Sequence, residues 1–309
     1  MVRADRVGAM VARWGRMRLD PSRSSHALRE PAAIVAGGVA VNRAGLDGAA
    51  RSLGLAKEAA DFLLWAQQRA GTGVFPFPAT RGVRRDNAFV AAERYIARAQ
   101  QEGRLDEVVR NGWAVNDDGD GGLQFDNGEC GVALLELCEF TSDKRCLDAA
   151  RKAADWSLGR PLVSNWNYNS FSVSLLARFY RVTREKPCLE GAIRKALLGV
   201  IPGQLTDEPN AGRWNDPHNA RPAHHYLLLR GLAELAAAMP RDGTSRATVM
   251  SSLRLGLENR NRDLLERGAS NKDKAIEVLL FVNREFANDA PFLRDTLSAA
   301  TLGALARLV

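Results

Sequence analysis

The chain has 309 residues, 46% of them hydrophobic, which is enough to bury a large core as one large domain or two smaller ones. Lys and Arg outnumber Asp and Glu by 43 to 36, but many of the extra Arg residues lie in the first 35, so the bias partly describes a leader. Beyond that leader the basic residues are scattered, not interleaved with aromatics along one element, which argues against a nucleic-acid partner.

Residues 1–50 read as a basic N-terminal arm (Arg3, Arg6, Arg13, Arg16, Arg18) carrying at most one helix, from Ala32 to Ala44. The arm lacks the continuous apolar stretch of a secretory signal, and no apolar run reaches the length of a membrane span. A cytoplasmic protein without a membrane partner is therefore expected, or a secreted or periplasmic one whose native N-terminus is missing. A helix from about Leu55 to Arg69 opens the region 51–309, which reads as a single all-α domain.

The segment Asn127–Leu147 aligns on Asn169–Leu189 at a constant offset of 42, without a gap. Asn127 falls on Asn169, Leu134 on Leu176, Thr141 on Thr183, Lys144 on Lys186 and Cys146 on Cys188. The unit is an apolar helix, a short polar turn and a second amphipathic helix, that is, a helical hairpin. It also appears from Asp86 to Trp113, and more loosely from His224 to Leu257 and from Asn271 to Val309, so five to six hairpins are expected. Such hairpins build an open solenoid or a closed toroid. Long Gly- and aromatic-rich loops enter each first helix, the first helices are small and apolar on most sides, and the second helices are charged, as inner and outer rings require. The expected fold is an (α/α) toroid. The four cysteines fit no zinc pattern and no dense disulfide framework, and are expected to be reduced and buried.

Parallel inner helices gather their N-termini, and the loops that feed them, on one face. Those loops carry Phe75-Pro-Phe77, Gln124-Phe-Asp126-Asn-Gly-Glu129, Asn165-Trp166-Asn167-Tyr168-Asn169 and Arg213-Trp214-Asn-Asp216-Pro-His218-Asn219. Aromatic rings beside amides, carboxylates and imidazoles suit sugars, whose C–H faces stack while their hydroxyls need donors and acceptors. The run Asn116–Gly121 resembles the front of a calcium loop, but its twelfth position is Asn127 and not a bidentate Glu. A solvated turn and no cofactor are expected there, with calcium near Asp118 and Asp120 the alternative.

The phrase Gln-Phe-Asp-Asn-Gly-Glu, followed by Leu-Leu-Glu-Leu-Cys-Glu-Phe-Thr-Ser-Asp-Lys-Arg-Cys-Leu-Asp-Ala-Ala, resembles the inner-helix, turn, outer-helix unit of the α/α-toroid carbohydrate-active enzymes. These are the toroidal pectate and alginate lyases, glucuronyl C5-epimerases and six-hairpin glycosidases. The resemblance spans residues 54–309 in pattern and implies the fold more than the reaction. Asn165-Trp166-Asn167-Tyr168 is similar to the Asn-His and Tyr-Trp elements of toroidal alginate lyases. No His follows Asn165 and no Trp follows Tyr168, so those families' catalytic residues are not carried over.

For elimination at a uronic acid, the leading expectation, Arg213 with Asn165 or Asn167 would neutralise the carboxylate. His218, His224 or His225 would be the base, with His218 preferred, and Tyr168 or Tyr226 the acid. For hydrolysis, Asp126, Glu129 and Asp216 are the available carboxyls. Asp126 with Glu129 also fits a capping box, and His224 and His225 fit a helix start. Phe75, Phe77, Gln124, Trp166, Trp214 and Asn219 complete the expected sugar contacts. A non-catalytic glycan-binding or scaffold protein is the third reading, and an acidic oligo- or polysaccharide the expected partner.

Overall fold

The computed structural model describes residues 28–70, 73–75, 100–103, 121–163, 165–215, 222–268 and 272–308. The hairpin expected from Asp86 to Trp113 lies outside them. Among the described residues there are eleven α-helices, one short 3-10 turn (Ile201–Gly203) and a single isolated antiparallel bridge between Gln204 and Trp214, so the fold is all-α. No described helix is long and apolar enough to cross a membrane.

The helices come in pairs: α1 (Arg29–Arg43) with α2 (Ala49–Ala70), α3 (Gly121–Thr141) with α4 (Lys144–Leu158), and α5 (Trp166–Thr183) with α6 (Lys186–Gly199). Then α7 (Pro222–Ala238) pairs with α8 (Thr244–Arg267), and α9 (Lys272–Glu285) is followed by α10 (Ala290–Thr296) and α11 (Ala299–Leu308). First helices pack in succession, α1 on α3, α3 on α5, α5 on α7 and α7 on α9. Second helices do the same, α2 on α4, α4 on α6 and α6 on α8, giving two layers of helices with each hairpin spanning both. The helix expected at Ala32–Ala44 thus packs as the first member of a hairpin.

The 42-residue repeat is visible atom by atom at the turns. Thr141 and Thr183 each donate their hydroxyl to the carbonyl four residues back, Leu137 at 2.7 Å and Phe179 at 2.9 Å. Each hydroxyl also accepts the N–H two residues on, from Asp143 and Glu185. Between them Ser142 and Arg184 take up the left-handed conformation that stops the first helix, at φ 62° and 64°. Asp143 then caps α4 by accepting the N–H of Arg145.

The repeated asparagines close each hairpin at its other end. Asn127 donates to the Ala153 carbonyl at 2.9 Å and to Ser157 at 3.1 Å. Asn169 donates to the carbonyls of Gly199 and Val163 and accepts the N–H of Val163. Both are fully buried, so these bonds satisfy groups that water cannot reach. The first helices approach one another through glycine: a Cβ on Gly128 would lie 2.7 Å from that of Phe171, and Gly231 sits against Ser170 in the same way. One continuous apolar core runs through all five hairpins. All four cysteines are free thiols, with Cys130, Cys146 and Cys188 buried.

Candidate functional site

Several residues expected at a sugar mouth are packed inside the protein instead. Phe75 is fully buried in the core. Trp214 is 2% exposed, donates its indole N–H to the Val200 carbonyl at 2.8 Å and meets the His225 ring edge-on, so it has no face for a sugar. His225 is also fully buried, with Nε2 2.8 Å from the Gly212 carbonyl. Burial, helped by the Arg260 charge, holds its imidazole well below the usual histidine range, so it is a neutral packing group. Burial likewise pushes the Tyr226 phenol up to about 12. Asn165 is the N-cap of α5, accepting the N–H of Asn167, which is itself buried. His224 and His225 lie in the first turn of α7.

Gln124, Asp126 and Glu129 lie inside α3, which begins at Gly121, and not in the loop or capping box that the sequence suggests. Gly121 and Gly122, at the end of the acidic stretch, form the first residues of the helix. Gln124 is buried and accepts the Ser172 hydroxyl at 2.8 Å. Asp126 is buried and receives Arg29 Nε at 2.6 Å, a partner 97 residues away. Burial raises its carboxyl from 3.8 to about 7, against the lowering effect of Arg29.

The remaining expected residues that are described lie in two separate sets of contacts. The Arg29 guanidinium lies 3.6 Å from the centroid of Phe125, whose ring packs on Phe171 and meets Tyr168 edge-on at 6.5 Å. Trp166 donates its indole N–H to Asn215 at 3.1 Å in an exposed bond, so the start of α5 is joined to the segment that precedes α7. Arg213, half-buried, bonds Asn210 at 3.4 Å. Phe77, Asp118, Asp120, Asp216, His218 and Asn219 lie outside the described residues. Among the described residues no group of three or more His, Cys, Asp or Glu could hold a metal ion.

A second feature is not legible in the sequence. A cavity of about 650 Å³ is lined by all five first helices. One wall is the small-residue face of α1, with Ala33, Ala36, Gly37 and Ala40. The facing wall is a row of alternating charge, in which Lys274 bridges Glu129 at 3.4 Å and Glu277 at 3.0 Å. Arg230 continues it, from Glu277 at 3.2 Å to Glu136 at 3.5 Å. Glu277 keeps 42% of its side-chain surface accessible although protein crowds around it. Crowding works to raise its pKa, but Lys274 and Arg230 outweigh it and the carboxyl is held below its ordinary value. Behind the wall Glu234, with no exposed surface, is held ionised by Arg178, Arg230 and Arg181 against the same effect of burial. Opposite charges in otherwise apolar helices, Glu136 and Arg178 at equivalent repeat positions, were the sequence signal for this row.

No protein-family model, curated protein or solved structure matches the chain.

Proposed function

We propose that the hairpins close into an α/α toroid and that the protein is a carbohydrate-active enzyme, cleaving an acidic glycan by β-elimination at a uronic acid. The observation that carries this reading is the bond between Trp166 and Asn215, which joins two aromatic, amide-rich segments that also carry Tyr168 and Arg213 in sequence. The cavity adds support, because its volume lies within the ~300–1,000 Å³ of small-molecule sites and it is walled by every first helix. In this mechanism Arg213 neutralises the substrate carboxylate, which stabilises the anion that forms at C5. His218 removes the C5 proton, and Tyr168 protonates the leaving oxygen.

Hydrolysis is less well supported. Asp126 has the raised pKa of a general acid, but it is buried and bonded to Arg29, away from the cavity wall. A panel of acidic and neutral polysaccharides, followed for both ultraviolet absorbance and reducing ends, tests the assignment. New absorbance with an acidic polymer supports it. Reducing ends without absorbance would make the protein a hydrolase, and an inactive Asp216→Asn beside a fully active His218→Ala would remove the lyase mechanism.

A further inference from the structure

Charge is distributed unevenly along the 650 Å³ cavity. Arg29 meets Asp126 near the start of α1 and α3, and Arg43 lies 5.9 Å from the Phe140 ring centroid near the end of both, so these helices run in the same direction. Lys274 meets Glu129 near the start of α9, and Glu277, farther along, shares Arg230 with Glu136, so α9 runs the same way. Lys274 and Arg230 are thus set among protein carboxylates along the start and middle of the cavity. The far end differs. Arg43 and Arg284, in the last turns of α1 and α9, both line the cavity. Among the described residues Arg43 pairs with no carboxylate. Arg284 has Glu285, its neighbour in the chain, at 2.9 Å, but Glu285 also holds Arg181 at 2.7 Å. Positive charge is therefore left over at this end.

The rest of the lining offers a ligand little to hydrogen-bond. Away from the charged row it consists of Ala, Gly, Val, Leu and Phe with two serines, and Ser170 already donates to the Leu227 carbonyl at 3.1 Å. Phe171, Leu227, Leu280 and Phe281 are its largest apolar groups, and Leu280 is 48% exposed. A polyhydroxylated ligand needs a partner for each hydroxyl, whereas an alkyl chain gains by leaving water. The lining follows α1 from Ala32 to Arg43, a length of about 16 Å, so the apolar wall is elongated and ends at the unpaired cation.

We propose that the cavity binds an amphipathic monocarboxylate, a free alkyl acid of medium to long chain, with the chain laid along α1 and the carboxylate at the Arg43 and Arg284 end. Arg43 is the specificity-determining residue, because a guanidinium without a protein carboxylate can take the acid through two parallel N–H bonds. Arg213 and Tyr168 do not line the cavity, so this site goes beyond the carbohydrate reading and stands or falls separately from it.

The test is titration calorimetry of the whole chain with octanoate, decanoate and dodecanoate, and with decanol and decyltrimethylammonium as neutral and cationic partners of equal chain length, all below their aggregation concentrations. The same titrations are run on Arg43→Gln and on Ala40→Trp, both at exposed positions of the lining, and circular dichroism checks the helix content of each. One-to-one binding is expected, tightening about tenfold for each pair of methylenes added from octanoate to dodecanoate. Decanoate should bind at least tenfold tighter than decyltrimethylammonium. Arg43→Gln should weaken decanoate about tenfold and leave decanol unchanged, and Ala40→Trp should weaken both. Affinity that does not grow with chain length would overturn the alkyl site. Decyltrimethylammonium binding as tightly as decanoate would overturn the role of the cationic end. Decanoate binding that is unchanged in both folded variants would overturn the placement in the cavity. If no alkanoate binds, the inference falls, while the polysaccharide assays decide the carbohydrate reading independently.

Discussion

Arg178 and Glu136 stand at equivalent positions of consecutive hairpins, 42 residues apart in sequence, and bond each other across the α3–α5 interface at 2.7 Å. One repeat therefore carries the charge that its neighbour lacks, and two copies of the same hairpin would repel where these two attract. The pair also serves Glu234 of the next hairpin, 3.7 Å from Arg178 and without exposed surface. Removing Arg178 leaves buried carboxylates short of a counter-charge. Arg178→Ala should cost about 3–5 kcal/mol in urea unfolding. A loss under about 1 kcal/mol would mean that Arg230 and Arg181 alone suffice for Glu234.

Asp126 makes stability depend on pH in a direction opposite to most carboxylates. Its carboxyl titrates near 7 in the folded protein and 3.8 when unfolded, so the folded state holds the proton more tightly between those values. The stabilisation is full below the unfolded value, declines as pH rises through the window, and is gone above about 7. Asp126→Asn has no such proton to lose, and Arg29 is exposed enough to be solvated when its partner is neutral. The stability of the variant relative to the parent should rise from pH 4 to pH 7 by a few kcal/mol and then level off. Unfolding midpoints at several pH values measure it, and a difference that stays constant across that range would contradict the assignment.

His225 predicts the reverse on the acid side. Its folded pKa lies well below 6.5, so the unfolded chain gains a proton that the folded one refuses as pH falls below that value. His225→Gln should lose less stability than the parent between pH 6.5 and pH 5. Equal acid sensitivity in the two proteins would show that the imidazole is hydrated and not buried.

Trp214 and Trp166 separate folding from binding. Trp214→Ala empties a core site and should cost about 3–5 kcal/mol, lowering activity only in proportion to the folded fraction. Trp166→Ala removes a half-buried ring at the mouth and should weaken glycan binding with a smaller change in melting temperature. The opposite ranking in paired melting and binding measurements would return Trp214 to the mouth.

Features set by neighbouring residues were legible in the sequence. The apolar helix, the Thr-x-acid turn and the capped second helix depend on contacts within four or five residues, and Thr141 and Thr183 repeat them faithfully. Asn127 and Asn169 stand out in the sequence as a repeated pair with loop-like polarity, whereas in the fold they tie a first helix to the end of its partner. What stayed hidden was set by residues far away in sequence. Asp126 looks like a cap until Arg29 is brought to it, and Trp214 looks like a stacking platform until the Val200 carbonyl and His225 enclose it. The cavity is assembled from five helices, so Lys274 and Glu277, an ordinary helical pair in sequence, gave no hint of facing Glu129.

The most direct test of the functional account is the ultraviolet absorbance that develops when the purified protein is incubated with uronate-containing polysaccharides, alongside Arg213→Ala and His218→Ala. The account predicts that absorbance rises with the parent protein and falls at least a hundredfold in rate for each variant. An unchanged rate in His218→Ala, or reducing ends that appear without any absorbance, would contradict elimination as the reaction of this protein.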